Sequence, residues 1–346
     1  MLNKLIVYAY YSTGILTSLI SLSTSMTNSI YDERVGLAVF GTSRSGTTWL
    51  AELLLSLPKY RLIYEPLNPD FYPHAKRLIR RLGFRHRRLY VHIHEENIEL
   101  YNYLHNVLKG KVPTLISPSF LFNELRKSKR SRVLLKEMIG FPLVKFVNGI
   151  RLLPWFTKNF KIRGIYMIIR HPCAVIESQL STFGKSKESI EVLKKILLHD
   201  ALKIKELQDN PKIVRKLRQI SSYYEFLAAL WALDYYVPLC YQRRNCWYTV
   251  VYERLVLNSV RELNNIFTFI GEKVPKNAYL NLRRASATSR TKGYIEDPYR
   301  FLNKWKKKIS RGDNEKIMNV LNWFEMNFYN IDDPEPDYKA LFSWRC

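Results

Sequence analysis

Acidic residues are scarce. Thirty Asp and Glu face 55 Lys and Arg, which gives the 346-residue chain a formal charge of +25. An excess that large attracts anions and speeds their encounter. It does not name the anion: nucleic acid, an acidic glycan, an acidic peptide and a phosphorylated cofactor all fit. Cysteine is sparse too. Cys173, Cys240, Cys246 and Cys346 form no C-x-x-C pair and no metal-ligand spacing, so no metal site is expected. Their number leaves the redox compartment open. The chain has no N-x-[ST] glycosylation sequon with a permitted middle residue. After residue 31 it also lacks repeats, low-complexity stretches and Pro- or Ser-rich linkers, and its apolar content is ample for a core. A single globular domain over 32–346 is the simplest organisation.

A clear membrane span is also missing. Residues 5–31 carry no charge, but residues 5–23 mix twelve apolar or aromatic side chains with six Ser/Thr and a Gly. A spanning helix needs roughly 20 predominantly apolar residues. Residues 1–31 are read as a possible membrane anchor or signal segment, with Lys4 favouring an N-terminus-inside orientation. A helix packed on the domain is the alternative.

What is present is an alternation of strands and helices. The apolar run VGLAVF at 35–40 ends at Gly41 and suits a buried parallel strand. TWLAELLLSL at 48–57 reads as a helix stopped by Pro58. Further strands are expected at 61–64, 132–135, 165–169 and 248–252, with helices at 221–236 and 260–270. The pattern predicts an α/β, three-layer P-loop-type fold with a central parallel sheet and helices on both faces. Two stretches between strands are long, 70–130 and 184–220. Such additions usually carry partner recognition, and 70–130 is expected to be an acceptor-side insertion. It holds Lys76, Arg77, Arg80, Arg81, Arg85, Arg87 and Arg88 within thirteen residues.

The first strand runs into Gly41-Thr-Ser-Arg-Ser-Gly46-Thr47-Thr48. This strand–G-x-x-x-x-G-x-[ST]–helix layout is that of a phosphate loop. Its glycines let the backbone turn tightly, and backbone N–H groups with the helix N-terminus then face an anion. Thr47 stands where nucleotide triphosphatases have the Lys that reaches the β/γ-phosphates, which argues against a triphosphate donor. Arg44 can supply a cation instead. A second anion site is suggested at Arg170-His171-Pro172-Cys-Ala-Val-Ile-Glu-Ser178, after the strand at 165–169. Pro172 suits a helix start. Arg170 then lies at the carboxyl end of a strand, where open α/β sheets bind ligands, and Ser178 lies two turns along the helix.

Arg44-Ser45-Gly46-Thr47-Thr48-Trp49 resembles the 5′-phosphosulfate loop of sulfotransferases, most closely the membrane-bound carbohydrate and protein-tyrosine enzymes. Arg170 and Ser178 resemble that family's 3′-phosphate motif, with His171 where the family usually has Asp. Asp caps a helix better than His, so a weaker helix start is expected. The resemblance implies PAPS (3′-phosphoadenylyl sulfate) as co-substrate, with phosphates at both ends. It implies further roles. Glu65, in Tyr64-Glu65-Pro66, takes the place of the family's general base, with a surface carboxylate or a partner for Arg44 as the plainer alternative. Lys136 resembles the lysine facing the transferring group. Ser289 and Lys304, beside Trp305, resemble the segment that covers the cofactor. Tyr252-Glu253 resembles a structural segment of the family, with Arg254 in place of Asp. His74, His171 and His199 match no catalytic histidine of cytosolic sulfotransferases.

The reading is thus a sulfotransferase moving the sulfuryl group from PAPS to a hydroxyl. Catalysis is expected to rest on Glu65, Lys136 and Arg44. A carbohydrate is the first acceptor, a protein tyrosine the alternative, and an anionic acceptor recognised by residues 76–88, with no contact between that segment and PAPS. The resemblance further implies a Golgi membrane location, single-pass with the N-terminus in the cytosol, against a cytoplasmic alternative. A basic nucleic-acid-binding protein and a P-loop kinase are the competing classes; nucleic acid is not the expected partner.

Overall fold

A computed structural model describes residues 33–85, 87–111, 140–242, 247–282 and 296–346. The expected membrane segment, the expected strand at 132–135, Lys136 and Ser289 lie outside these residues. Among them, no helix is long and apolar enough to cross a membrane.

Five strands form one parallel sheet: β1 (Leu37–Phe40), β2 (Tyr60–Tyr64), β3 (Phe141–Phe146), β4 (Gly164–Ile169) and β5 (Tyr248–Val251), in the order β2-β3-β1-β4-β5. β1 is therefore central, flanked by β3 and β4. Its four residues are fully enclosed and alternate between two cores, as a period of two requires. Ala38 and Phe40 pack with Val144, Phe146, Met167 and Ile169 on one face. Leu37 and Val39 pack with Leu143, Tyr166 and Ile168 on the other. The first core is covered chiefly by the helix Tyr223–Cys240, the second by Thr47–Leu54 and Ser259–Thr268. This is the α/β architecture expected, with helices on both faces.

β3 was not among the expected strands. Pro142 and Lys145 interrupt its apolar pattern, and Pro lacks the N–H a central strand normally uses. Here Pro142 sits near the strand's start, beside Arg61, so only the β3 entrance loses a donor. The insertion contributes the helices Pro73–Arg81 and Ile98–Leu108. The stretch 184–220 contributes Ile190–Ala201, Lys205–Gln208 and Pro211–Leu217. Cys240 and Cys346 form a disulfide; Cys173 is a buried thiol.

Candidate active site

The phosphate loop forms as its spacing demands. Gly46 precedes the helix Thr47–Leu54 with φ 102°, a left-handed conformation open mainly to glycine. A Cβ there would stand 2.6 Å from Tyr252 Cδ2, so even a methyl is excluded. Among the described residues no side chain caps this helix, and its first residues, Thr47 and Thr48, line the cavity with Gly46. Arg44 also has a positive φ, 70°.

The second motif folds onto the first. Arg44 Nε donates to Ser178 Oγ at 3.0 Å, and Arg170 Nη1 donates to the Arg44 carbonyl at 3.1 Å. Gln179 Nε2 donates to the Ser43 carbonyl at 2.9 Å. Arg170 lies over the Tyr252 ring, 4.3 Å from its centroid, and its Nε is buried with no hydrogen-bond partner among the described residues. Residues 134 apart in sequence thus build one cationic surface.

His171 corrects an expectation. Its Nδ1 accepts from the Cys173 N–H at 3.2 Å, so it caps the helix Pro172–Phe183 as Asp would. Its Nε2–H donates to the Asn330 carbonyl at 2.8 Å, and the ring stacks on Trp305. Burial, with smaller effects from its neighbours, pushes its pKa down to about 3, so the ring is neutral and cannot serve as a base. The backbone N–H of His171 donates to Glu253, which also accepts from Tyr329 Oη. Burial raises the Glu253 pKa to about 7. Glu253 touches no part of the cavity, in keeping with a structural role.

Glu65 directly follows β2 with φ 47°, and its backbone N–H donates to the Lys145 carbonyl of β3 at 2.9 Å. Left-handed backbone on a non-glycine residue costs about 1–3 kcal/mol and collects at functional sites. The turn aims the carboxylate at Lys145. Lys145 Nζ donates to Glu65 Oε1 at 2.6 Å and lies 4.1 Å from the Tyr64 ring centroid. Burial disfavours the ammonium, but the Glu65 carboxylate and Tyr64 outweigh it, and its pKa is raised. Lys145 is the residue that the sequence reading missed. Its signal was a single cation inside the apolar strand FPLVKF, whereas Lys136 drew the assignment.

One cavity of about 850 Å³ gathers these parts. Arg44, Gly46, Thr47, Thr48, Trp49, Glu65, Lys145, Arg170, Ser178, Lys304 and Trp305 all line it. Ser45 is fully buried beneath the loop, its Oγ donating to the Thr42 carbonyl at 2.7 Å. Lys308 also lines the cavity and pairs with Glu177 at 2.6 Å. Glu65 is thus partnered by Lys145 and not, as one alternative held, by Arg44.

The basic insertion divides. Arg80 and Arg81 lie on the exposed helix Pro73–Arg81 away from the cavity, with Arg81 paired to Glu99 at 2.7 Å. Arg87 pairs with Asp70 at the cavity rim. Arg88 is buried and binds Asp234 and Thr42, so it belongs to the support of the phosphate loop. Within residues 76–88, Arg88 thus contacts the phosphate loop through Thr42. Among the described residues, no group of three or more His, Cys, Asp or Glu could hold a metal.

A model described as "Sulfotransferase family" matches residues 37–276, more than half the chain. The chain belongs to the sulfotransferase family. The matched span includes the phosphate loop, Glu65, Lys145 and the Arg170–Ser178 motif of this sulfotransferase, and ends before Lys304. A solved structure to which it is similar is the sulfotransferase domain of the olefin synthase from Synechococcus PCC 7002. The identity is 16%, the TM-score 0.41, and the match covers 87% of this chain and 97% of that one. No curated protein matches.

Proposed function

We propose that this sulfotransferase moves the sulfuryl group of PAPS onto a hydroxyl of its acceptor, with Glu65 as general base. The observation that carries the reading is the hydrogen bond between Arg44 and Ser178, which joins two anion motifs in the cavity that also holds the Glu65–Lys145 pair. The residues fit a donor with phosphates at both ends. The uncapped helix Thr47–Leu54 and the Gly46 turn suit a phosphosulfate, and the unpartnered Arg170 Nε with Ser178 suits a 3′-phosphate. Trp49, Lys304 and Trp305 border the same space. Ser289 stays part of the reading as a further donor contact.

PAPS supplies an electrophilic sulfur with a good leaving group. The acceptor oxygen forms the new bond to sulfur as the bond to the phosphate oxygen breaks, and the acceptor proton passes to Glu65. Oε1 of Glu65 holds the Lys145 bond, which leaves Oε2 for that proton. Lys145 and Arg44 stabilise negative charge on the transferring group and the departing phosphate. Lys145 takes the role first assigned to Lys136. No divalent cation is needed where Arg44, Arg170 and Lys145 provide the charge.

A carbohydrate is the acceptor of choice, on the motif spacing and the basic insertion. Tyrosine in an acidic peptide is the second reading, favoured by Lys304 and Trp305 at the cavity. The Cys240–Cys346 disulfide favours an oxidising compartment and so the Golgi lumen over the cytoplasm, with residues 5–23 as a single-pass anchor.

The test is calorimetry with PAP, the desulfated product, and with ATP, beside labelled-PAPS transfer to glycans and an acidic tyrosine peptide in EDTA. PAP is expected to bind and ATP not, with transfer intact in EDTA. Preferential ATP binding, or activity lost in EDTA and restored by Mg²⁺, would sink the reading.

A further inference from the structure

The helix Tyr223–Cys240 is apolar along nearly its whole length, yet Asp234 sits in it fully buried. A carboxylate in that position survives only if paired and hydrogen-bonded. Asp234 has three partners. Arg88 Nε donates to Oδ2 at 2.5 Å, the Thr42 hydroxyl donates to Oδ2 at 2.8 Å, and Arg151 Nε donates to Oδ1 at 2.9 Å. Arg88 Nη2 then donates to Thr42 Oγ1 at 3.2 Å and closes a ring of three side chains.

Thr42 is the second residue of the phosphate loop, and the ring leaves it little freedom. Its carbonyl accepts from Ser45 N and Ser45 Oγ, and its N–H donates to Tyr235 Oη at 3.4 Å. Every polar group of the residue is therefore held, by three separate parts of the chain. Arg88 differs from Arg151 and Asp234 in one respect: it lines the cavity that Arg44 and Thr47 also line. A guanidinium in that position adds positive charge where the loop gathers an anion. An Arg can do both jobs because its planar fork reaches two acceptors at once, which a Lys cannot.

We infer that Arg88 is a positioning residue for the donor. Through Asp234 and Thr42 it holds the phosphate loop in its anion-binding shape, and its charge adds to the attraction. Within the basic insertion, this separates Arg88 from Arg80 and Arg81. The inference rests on the proposed sulfotransfer reading.

The experiment measures PAP affinity by calorimetry, with the melting temperature and the transfer kinetics of the same variants. Asp234→Asn strips two buried guanidiniums of their carboxylate and is expected to unfold the protein, so milder changes carry the test. Thr42→Val keeps the shape and the ion pairs but removes the hydroxyl. Arg88→Lys keeps the charge but loses the fork. Each should weaken PAP about tenfold. The double variant should weaken it little more than either single change, because both cut one shared link. Arg80→Gln/Arg81→Gln should leave PAP affinity as it is. Full PAP affinity in Thr42→Val and Arg88→Lys, with only the melting temperature lowered, would reduce the ring to a folding element and overturn the inference. Additive losses in the double variant would overturn it as well. Wild-type protein that does not bind PAP would instead remove the sulfotransfer reading itself, and this inference with it.

Discussion

Glu65→Gln separates the chemistry of the site from its packing. The carboxylate is paired with Lys145 at 2.6 Å, with 10% and 2% of the two side chains exposed. Removing one partner of a buried pair costs about 3–5 kcal/mol, and because the amide oxygen still accepts from Lys145, about 2–3 kcal/mol is expected here. That corresponds to a melting temperature lower by on the order of 3–5 °C for a chain of this length. Gln cannot take the acceptor proton, so kcat should fall by about 10²–10⁴-fold at temperatures where both proteins are folded. PAP affinity should change little, since Glu65 touches neither anion motif. The companion variant Glu65→Gln/Lys145→Met removes the stranded ammonium. Replacing a buried ion pair by packed neutral groups is often neutral or stabilising. Its melting temperature should therefore recover while kcat stays low. Differential scanning fluorimetry, calorimetry with PAP and initial-rate kinetics give the three numbers. A normal kcat in Glu65→Gln would remove Glu65 as base. A loss confined to PAP affinity would show that the pair serves the donor.

His171 gives a pH dependence of known sign. The folded ring titrates at about 3, while the unfolded one takes its proton near the ordinary value of about 6.5. The unfolded state thus binds more protons between these limits. The stability is fully present above about 6.5 and is lost as pH falls toward 3, which amounts to about 2 kcal/mol by pH 5. His171→Asn keeps a cap but no titrating ring. In urea unfolding it should lose about 2 kcal/mol less than the wild type between pH 7 and pH 5, and equal losses would refute the assignment. Gly46→Ala forces a methyl against Tyr252 at a positive φ and should weaken PAP more than tenfold. Gly271→Ala, also at a positive φ but with nothing within 4 Å of the added methyl, should leave PAP affinity alone; matching losses in calorimetry would show that the Tyr252 contact is irrelevant.

Much of the fold was legible because its strands end on marked residues. The run before Gly41 became β1, and the runs before Arg170 and Tyr252 became β4 and β5, each within two residues of the expected bounds. Buried parallel strands need continuous apolar sequence, and that signal survives without any tertiary information. β3 failed the same test because it carries Lys145 within the strand. An ammonium inside a strand is tolerable only when a carboxylate from the neighbouring strand meets it. The register Tyr64↔Lys145 that brings Glu65 alongside is a property of the sheet, invisible along the chain. The same holds for Asp234. An acid within the buried run Phe226–Leu239 was a readable signal, but its partners at 42, 88 and 151 are distant in sequence.

His171 shows why a departure from a motif is better weighed by contacts than by rank. On capping preference alone, Asp is the better residue before Pro172. Asp could accept from Cys173 N, but it has no N–H to give the Asn330 carbonyl and no ring to lay on Trp305. The neutral imidazole does all three, because Nδ1 and Nε2 have opposite hydrogen-bonding roles in one tautomer. One of those extra contacts reaches Trp305, beside Lys304, and the other reaches Asn330 beyond the helix Arg311–Trp323. The start of the helix that bears Ser178 is therefore fastened to Trp305, which lines the cavity. In this sulfotransferase His171 keeps the helix cap and adds two contacts to the C-terminal part of the chain, so the helix loses no cap in the exchange.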